Sequence, residues 1–276
     1  MPLGVCYPSE RPSATVAAAV IRTACDSKYG CVFDTADTYS RDASDLHYVE
    51  ALLADVHTSQ DLHLVFTKGG MRRSGATKSS WLPVEATKEV FAAAISSSFH
   101  ALGGKKPLPV WMLHHPTAAN LKPALEAVVE ARAAGQVLHV GVCNASMDVI
   151  LEANDLEALV CVENKYSLWH RGAEAAVLPW CVKNGVSFLP YGALGGVGAR
   201  EGRVNLGDDF PDLLPLAKLK AVSPHALVLA WMRHKWPCII HITGARCAAS
   251  VLDARTAAGV RLTPEEFDAI DAMGKV

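Results

Sequence analysis

Apolar and polar positions alternate along this chain in two patterns. Short, nearly unbroken apolar runs predict strands buried on both faces, as in parallel sheets. Longer segments with apolar residues three and four apart predict amphipathic helices. The strand runs are "LGVCY", "GCVFDTA", "LHLVFTK", "PVWMLHH", "VLHVGVCN", "ALVCVENKY", "VSFLPYGAL" and "PCIIHIT". Helical segments lie between them. "ASDLHYVEALLADV" places Leu46, Val49, Leu52, Leu53 and Val56 on one face, and "NLKPALEAVVEARAAG" does the same with Leu121, Ala124, Leu125 and Val128 before Gly135 stops it. "SPHALVLAWMRH" opens with Ser223 as N-cap and Pro224 at the first helical position, and Thr263 with Glu266 predicts a capping box at the start of the last helix.

This rhythm makes about eight strand–helix units, which suits an α/β fold, a (β/α)8 TIM barrel. A doubly wound open sheet is the alternative. No linker, low-complexity tract or shift in composition divides the chain, so residues 1–276 are expected to form a single barrel domain. The length of 276 residues, half of them hydrophobic, matches one barrel of ~250 residues.

Charge and cysteines narrow the setting. A net charge of -2 without a basic block speaks against nucleic acid or an anionic membrane as partner. No basic n-region with an apolar h-region opens the chain, and no apolar run reaches ~18 residues, so a cytoplasmic protein is expected. The eight cysteines form no CxxC pair and read as reduced thiols.

In a barrel the chemistry sits where strands end at the C-terminal face. The second predicted strand closes on Asp34, the third on Lys68, the fourth on His114, the fifth on Asn144, the sixth near Glu163, the seventh on Tyr191 and the eighth at Thr243-Gly244. Tyr39 follows Asp34 in a short polar turn. A tyrosine is a poor acid near neutrality, and a nearby ammonium favours the phenolate form. Tyr39, Lys68, Asp34 and His114 together suit delivery of a proton to a carbonyl oxygen that is becoming an alkoxide. The matching hydride must come from a nicotinamide cofactor.

At these residues the chain resembles the aldo-keto reductase superfamily, over nearly its whole length. "FDTADTY" is similar to D-T-A-x-x-Y, "FTKGG" to the T-K strand end, and "LHHP" to H-x-P. "AAGQVLHVGVCN" resembles G-K-V-R-x-I-G-V-S-N, "YGALGG" resembles Y-S-P-L-G-G, and "ITGAR" resembles I-P-G-A-R. The resemblance implies reduction of aldehydes or ketones by NADPH, with Tyr39 as general acid, Asp34 and Lys68 as its tuning pair, and His114 orienting the carbonyl. Asp37 and His115 are implied to be non-catalytic. Cofactor contacts are implied at Cys143, Asn144, Glu163, Tyr191, Gly192, Ala193, Leu194, Gly195, Gly244, Ala245, Arg246 and Ser250, and no metal is implied.

The chain departs from the family at several of these places. Cys143 replaces a Ser, so the nicotinamide amide falls mainly to Asn144. Glu163 replaces a Gln, and its charge would favour the oxidised, cationic nicotinamide. Gly192 and Ala193 replace Ser and Pro near the pyrophosphate. Ala254 stands where an adenine-gripping Asn is usual, while Arg246 remains for the 2′-phosphate of NADP(H). These changes keep a second expectation open, a cofactor-sensing regulatory barrel with little turnover. Three other motifs carry less. "GALGGVG" only loosely echoes a dinucleotide loop, "GMRRSGATKS" has Ala76 rather than Lys after Gly75 and so only superficially resembles a Walker A loop, and no HExxH or HxH pattern supports a metal-dependent hydrolase. Trp81 and Trp169 are expected in loops beside the site, and Trp111 in core packing.

Overall fold

The computed structural model describes residues 11–274, apart from positions 27, 29, 60–61, 76–80 and 196–204. The predicted strand "LGVCY" and the end of "GALGGVG" lie outside the described residues. Two compact units divide the chain, Met1–Val162 and Glu163–Val276.

The first unit runs α1 (Ala14–Cys25), β1 (Cys31–Asp34), a 3-10 turn (Ala43–Asp45), α2 (Tyr48–Ser59), β2 (His63–Gly69), β3 (Met71–Arg73), β4 (Trp81–Pro83), α3 (Lys88–Ala101), β5 (Leu108–Leu113), α4 (Leu121–Ala133), β6 (Val137–Cys143) and α5 (Met147–Leu156). Its main strands are parallel and lie in the order β1-β2-β5-β6. The register decides which side chains share a face. Asp34 pairs with Phe66, Lys68 with Met112, and Met112 with Gly141. Side chains alternate with period two, so Asp34, Lys68, Met112 and Gly141 point to one side of the sheet. The same alternation carries His114 and Cys143 to that side. Thr67 and Trp111 pair on the opposite, helix-covered side, where Trp111 is fully buried as expected of core packing.

Local sequence explains the helix starts. Ser13, Thr87 and Ser146 each accept the backbone N–H of the third residue of their helix, meeting donors that a helix end leaves unpaired. α4 buries Leu121, Ala124, Leu125 and Val128, the predicted face. α2 departs from its prediction. Val49, Leu53 and Val56 are buried, but Leu46 is 40 % exposed. The helix begins only at Tyr48, so Leu46 falls outside its period. Glu50 and His57 take core positions instead.

A small antiparallel hairpin, β3 with β4, was not legible in the pattern, because three-residue strands show no periodicity. Gly70 at φ +97 turns the chain out of β2 into this hairpin, a conformation that disfavours any residue with a Cβ.

β7 (Leu159–Lys165) crosses the boundary between the units. The second unit continues with a 3-10 turn (Gly172–Glu174), α6 (Val177–Asn184), β8 (Ser187–Tyr191), α7 (Leu206–Asp209), α8 (Leu213–Leu219), α9 (Pro224–Lys235), α10 (Ala248–Thr256) and α11 (Pro264–Met273). The predicted Ser223 cap with Pro224 and the Thr263–Glu266 capping box both form. The eighth predicted strand is reduced to one parallel bridge, Phe188 with Ile239, held by two hydrogen bonds (Phe188 N to Cys238 O, 2.8 Å, and Ile240 N to Phe188 O, 2.9 Å). α11 is pinned by Asp271, which accepts from Arg171 Nη2 at 2.6 Å, Lys235 Nζ at 2.5 Å and Trp231 Nε1 at 3.2 Å. Among the described residues no single helix is long and apolar enough to cross a membrane, and none of the seven described cysteines is in a disulfide.

Candidate active site

Four predicted residues meet in the first unit. Asp34, Lys68 and His114 share the strand face described above, at or just past the ends of β1, β2 and β5. The turn after Asp34 brings in the fourth. It follows β2, with Thr35 N bonded to Phe66 O at 2.9 Å and Asp37 N to Lys68 O at 3.0 Å, and Tyr39 N closes back on Ala36 O at 3.1 Å. Tyr39 is thereby buried, with Lys68 Nζ 5.0 Å from its ring centroid.

Lys68 is the electrostatic centre. Its side chain is 0 % exposed, and its ammonium donates to Asp34 Oδ1. A fully buried ammonium is costly unless paired, so Asp34 keeps Lys68 charged and fixed in place. His114 is held neutral. Its pKa lies well below the ordinary histidine value, first because it is buried, then because Lys68 and His115 are close. Its Nδ1 is buried without a hydrogen-bond partner. The His114 ring stands edge-on to Tyr39 at 5.9 Å and stacks on His115 at 5.1 Å. Trp81, from the β3–β4 hairpin, completes an aromatic wall, 5.3 Å from His114 and 6.1 Å from Tyr39. Trp169 instead stacks on Phe210 at 5.8 Å in the second unit. A neutral imidazole can orient an oxygen but is not a ready proton source, whereas a phenol beside a buried ammonium carries a proton and a charge to stabilise its loss.

A second buried polar cluster adjoins the site. Glu50 of α2 is fully buried and accepts from Thr67 Oγ1 at 2.5 Å and from the His47 imidazole. The neighbouring Asp37 carboxyl is pushed up to about 8, chiefly by burial and then by Glu50. Between about pH 4 and 8 the unfolded chain therefore releases a proton that the folded chain keeps, and stability falls as pH rises through that window. Asp37→Asn should remove this slope. We expect its melting temperature to match wild type near pH 4 and to exceed it increasingly toward pH 8, by about 2–4 °C for each kcal/mol recovered. Calorimetry across that range checks this, and parallel curves for the two proteins would refute it.

Cys143 and Asn144 follow on β6. Cys143 is buried, and Asn144 sits at φ +60, with its amide nitrogen donating to His114 O at 3.0 Å and to Cys143 Sγ at 3.2 Å. This left-handed residue ties the β6 end to the β5 end, a role that the sequence did not signal. In the second unit Glu163 is 2 % exposed on β7. Tyr191 ends β8 and leads into a turn in which Gly192 and Gly195 both have positive φ and Gly195 N bonds Gly192 O at 3.2 Å. Ala193 is buried and Leu194 half-buried within it. Gly244, Ala245 and Arg246 precede α10, which begins without a side-chain cap; Ser250 lies in its first turn, Sγ of Cys247 3.3 Å from its hydroxyl. An uncapped helix start with an arginine just ahead of it is suited to a phosphate. Arg73 on β3 is buried, which the sequence does not signal, since a lone arginine in a polar stretch looks solvated.

Comparison with known proteins agrees with this architecture. The Aldo/keto reductase family model matches residues 6–275. Pyridoxine 4-dehydrogenase of Escherichia coli is 27 % identical over 248 residues, 88 % of this chain and 81 % of that protein. An uncharacterized oxidoreductase of Schizosaccharomyces pombe is 28 % identical over 244 residues, covering 88 % and 74 %. Among solved structures, an aldo/keto reductase from Klebsiella pneumoniae in complex with NADP and acetate superposes with a TM-score of 0.78 at 23 % identity, covering 94 % of this chain and 85 % of that one. The glycerol dehydrogenase of Gluconobacter oxydans gives 0.79 at 19 % identity, covering 99 % and 88 %. The chain belongs to the aldo/keto reductase family, has its (β/α)8 barrel fold, and is by that membership an oxidoreductase.

Proposed function

We propose that the protein reduces aldehyde and ketone carbonyls to alcohols with NADPH. The observation that carries this reading is the fully buried Lys68, paired with Asp34, beside the Tyr39 ring and the neutral His114. NADP in the Klebsiella structure and the dehydrogenase name of the Escherichia coli relative support the cofactor and the reaction class. When bound, the reduced nicotinamide supplies the hydride.

The chain's own residues supply the rest. His114, uncharged, donates a ring N–H to the carbonyl oxygen and sets its direction. Tyr39 passes its hydroxyl proton to that oxygen as negative charge builds there. Lys68 stabilises the charge left on the phenol oxygen, and Asp34 keeps the ammonium in position. Trp81 and the burial of the four groups limit water, so each charge acts at low effective dielectric. In the second unit, Arg246 with the start of α10 is assigned to the 2′-phosphate, Gly192 to Gly195 to the pyrophosphate, and Tyr191 to the nicotinamide ring. Gly244, Ala245 and Ser250 complete the adenosine side, and Glu163 is assigned to the carboxamide.

Steady-state NADPH consumption with a panel of aldehydes tests the proposal. We expect aldehyde-dependent oxidation of NADPH with one alcohol formed per cofactor. A cofactor-sensing barrel would bind NADPH and leave it unoxidised with every aldehyde. The intact Asp34, Tyr39, Lys68 and His114 set favours turnover.

A further inference from the structure

We infer that Arg73 and Trp81 form a recognition site for an anionic oxygen group, carboxylate or phosphate, carried by the carbonyl substrate; this rests on the carbonyl-reduction reading. Arg73 lies on β3 directly across from Trp81 on β4, and its guanidinium carbon is 5.4 Å from the Trp81 ring. Trp81 in turn lies against His114 and Tyr39. The arginine is therefore one aromatic ring away from the proton-delivery groups. Its Nη2 donates to the carbonyl oxygen of Arg41, two residues after Tyr39, so the guanidinium is anchored to the same turn.

What sets Arg73 apart is its missing partner. It is 3 % exposed, yet its Nε and Nη1 are buried with no hydrogen-bond partner. No carboxylate lies within ion-pairing distance of it among the described residues. Arg11 makes the contrast. It is somewhat more exposed and also has two unmet donors, but its Nη1 is paired with Asp45 at 2.6 Å. Three acids of this unit are engaged elsewhere, Asp34 on Lys68, Asp45 on Arg11 and Glu50 on His47 and Thr67. The Trp81 indole N–H is likewise buried and unpartnered. Among the described residues this buried cation has one neutral acceptor, an incomplete arrangement. A carboxylate or phosphate supplies the missing charge and can accept from two guanidinium nitrogens at once. Trp81 offers a flat apolar wall to the carbon skeleton between that anion and the reacting carbonyl.

Matched substrate pairs test the inference. We would compare 4-carboxybenzaldehyde with benzaldehyde, and glyceraldehyde 3-phosphate with glyceraldehyde, in wild type, Arg73→Met and Arg73→Lys. Wild type should favour the charged member of at least one pair in kcat/KM by about 10- to 100-fold, the range expected for hydrogen bonds to a charged group. The pair that shows it identifies carboxylate or phosphate. Arg73→Met should lose that preference through KM while leaving the neutral aldehyde within about twofold, and Arg73→Lys should restore part of it. Equal use of charged and neutral members by wild type, or an equal loss on both in Arg73→Met, would overturn the inference and make Arg73 a brace for the Arg41 turn. Calorimetric binding of benzoate and benzamide keeps the question open to decision even if no aldehyde is reduced. Tighter benzoate binding that Arg73→Met abolishes supports the site, and equal binding refutes it.

Discussion

The Tyr39→Phe variant should fold and bind NADPH as wild type does, yet reduce aldehydes about 100- to 10,000-fold more slowly, the usual worth of a positioned acid. The ring of Tyr39 lies against His114 and Trp81, with the Lys68 ammonium above its face. Phenylalanine keeps all three and removes only the hydroxyl. The loss should therefore appear in kcat, with KM and melting temperature nearly unchanged. His114 cannot take over as the acid, because burial and the Lys68 charge hold it neutral. A rate within a few-fold of wild type would assign the proton to another group.

The second large effect concerns stability. Asp34→Ala removes the carboxylate to which the Lys68 ammonium donates, in a site where the lysine side chain is 0 % exposed. Breaking a buried pair from one side costs about 3–5 kcal/mol, because an uncompensated charge remains. Lys68→Met should cost less, since the carboxylate it leaves behind is 10 % exposed and reaches water, whereas the lysine side chain is 0 % exposed. The double variant Asp34→Ala with Lys68→Met should be more stable than Asp34→Ala alone, giving a coupling of at least about 1 kcal/mol in a double-mutant cycle. Urea denaturation of the four proteins measures this. Additive effects would show that the pair contributes no more than its separate side chains. All three variants should lose carbonyl reduction, but only Asp34→Ala should lose much of its stability as well.

How far the sequence revealed this site depends on how each residue is placed. Asp34, Lys68 and His114 end apolar runs, so the strand pattern marked their positions, and the parallel register explains why they converge. Tyr39 stands in a turn without periodicity and is marked only by its place just after Asp34, to which the resemblance of "FDTADTY" adds a role. Trp81 was noticed as an aromatic, but the hairpin that carries it was not legible, since β3 and β4 are too short to show alternation. Arg73 was not noticed at all. Glu50 and Asp37 were hidden for a related reason. A buried acid in an amphipathic helix or a polar turn looks, in sequence, like any solvated acid, and only packing shows that it is enclosed. The same holds for Asp271, whose three donors come from α9, from its C-terminal Lys235 and from the distant Arg171. The eighth predicted strand forms only as a single bridge among the described residues, because "PCIIHIT" begins in a turn and only Ile239 pairs with β8.

The most direct measurement follows the label from NADPH deuterated at the transferable position of its nicotinamide. In a single turnover with an aldehyde, the account predicts an alcohol with one deuterium on the former carbonyl carbon and a solvent-derived proton on oxygen, with formation slowed in Tyr39→Phe. An alcohol without deuterium, or bound NADPH that stays unoxidised, would contradict it.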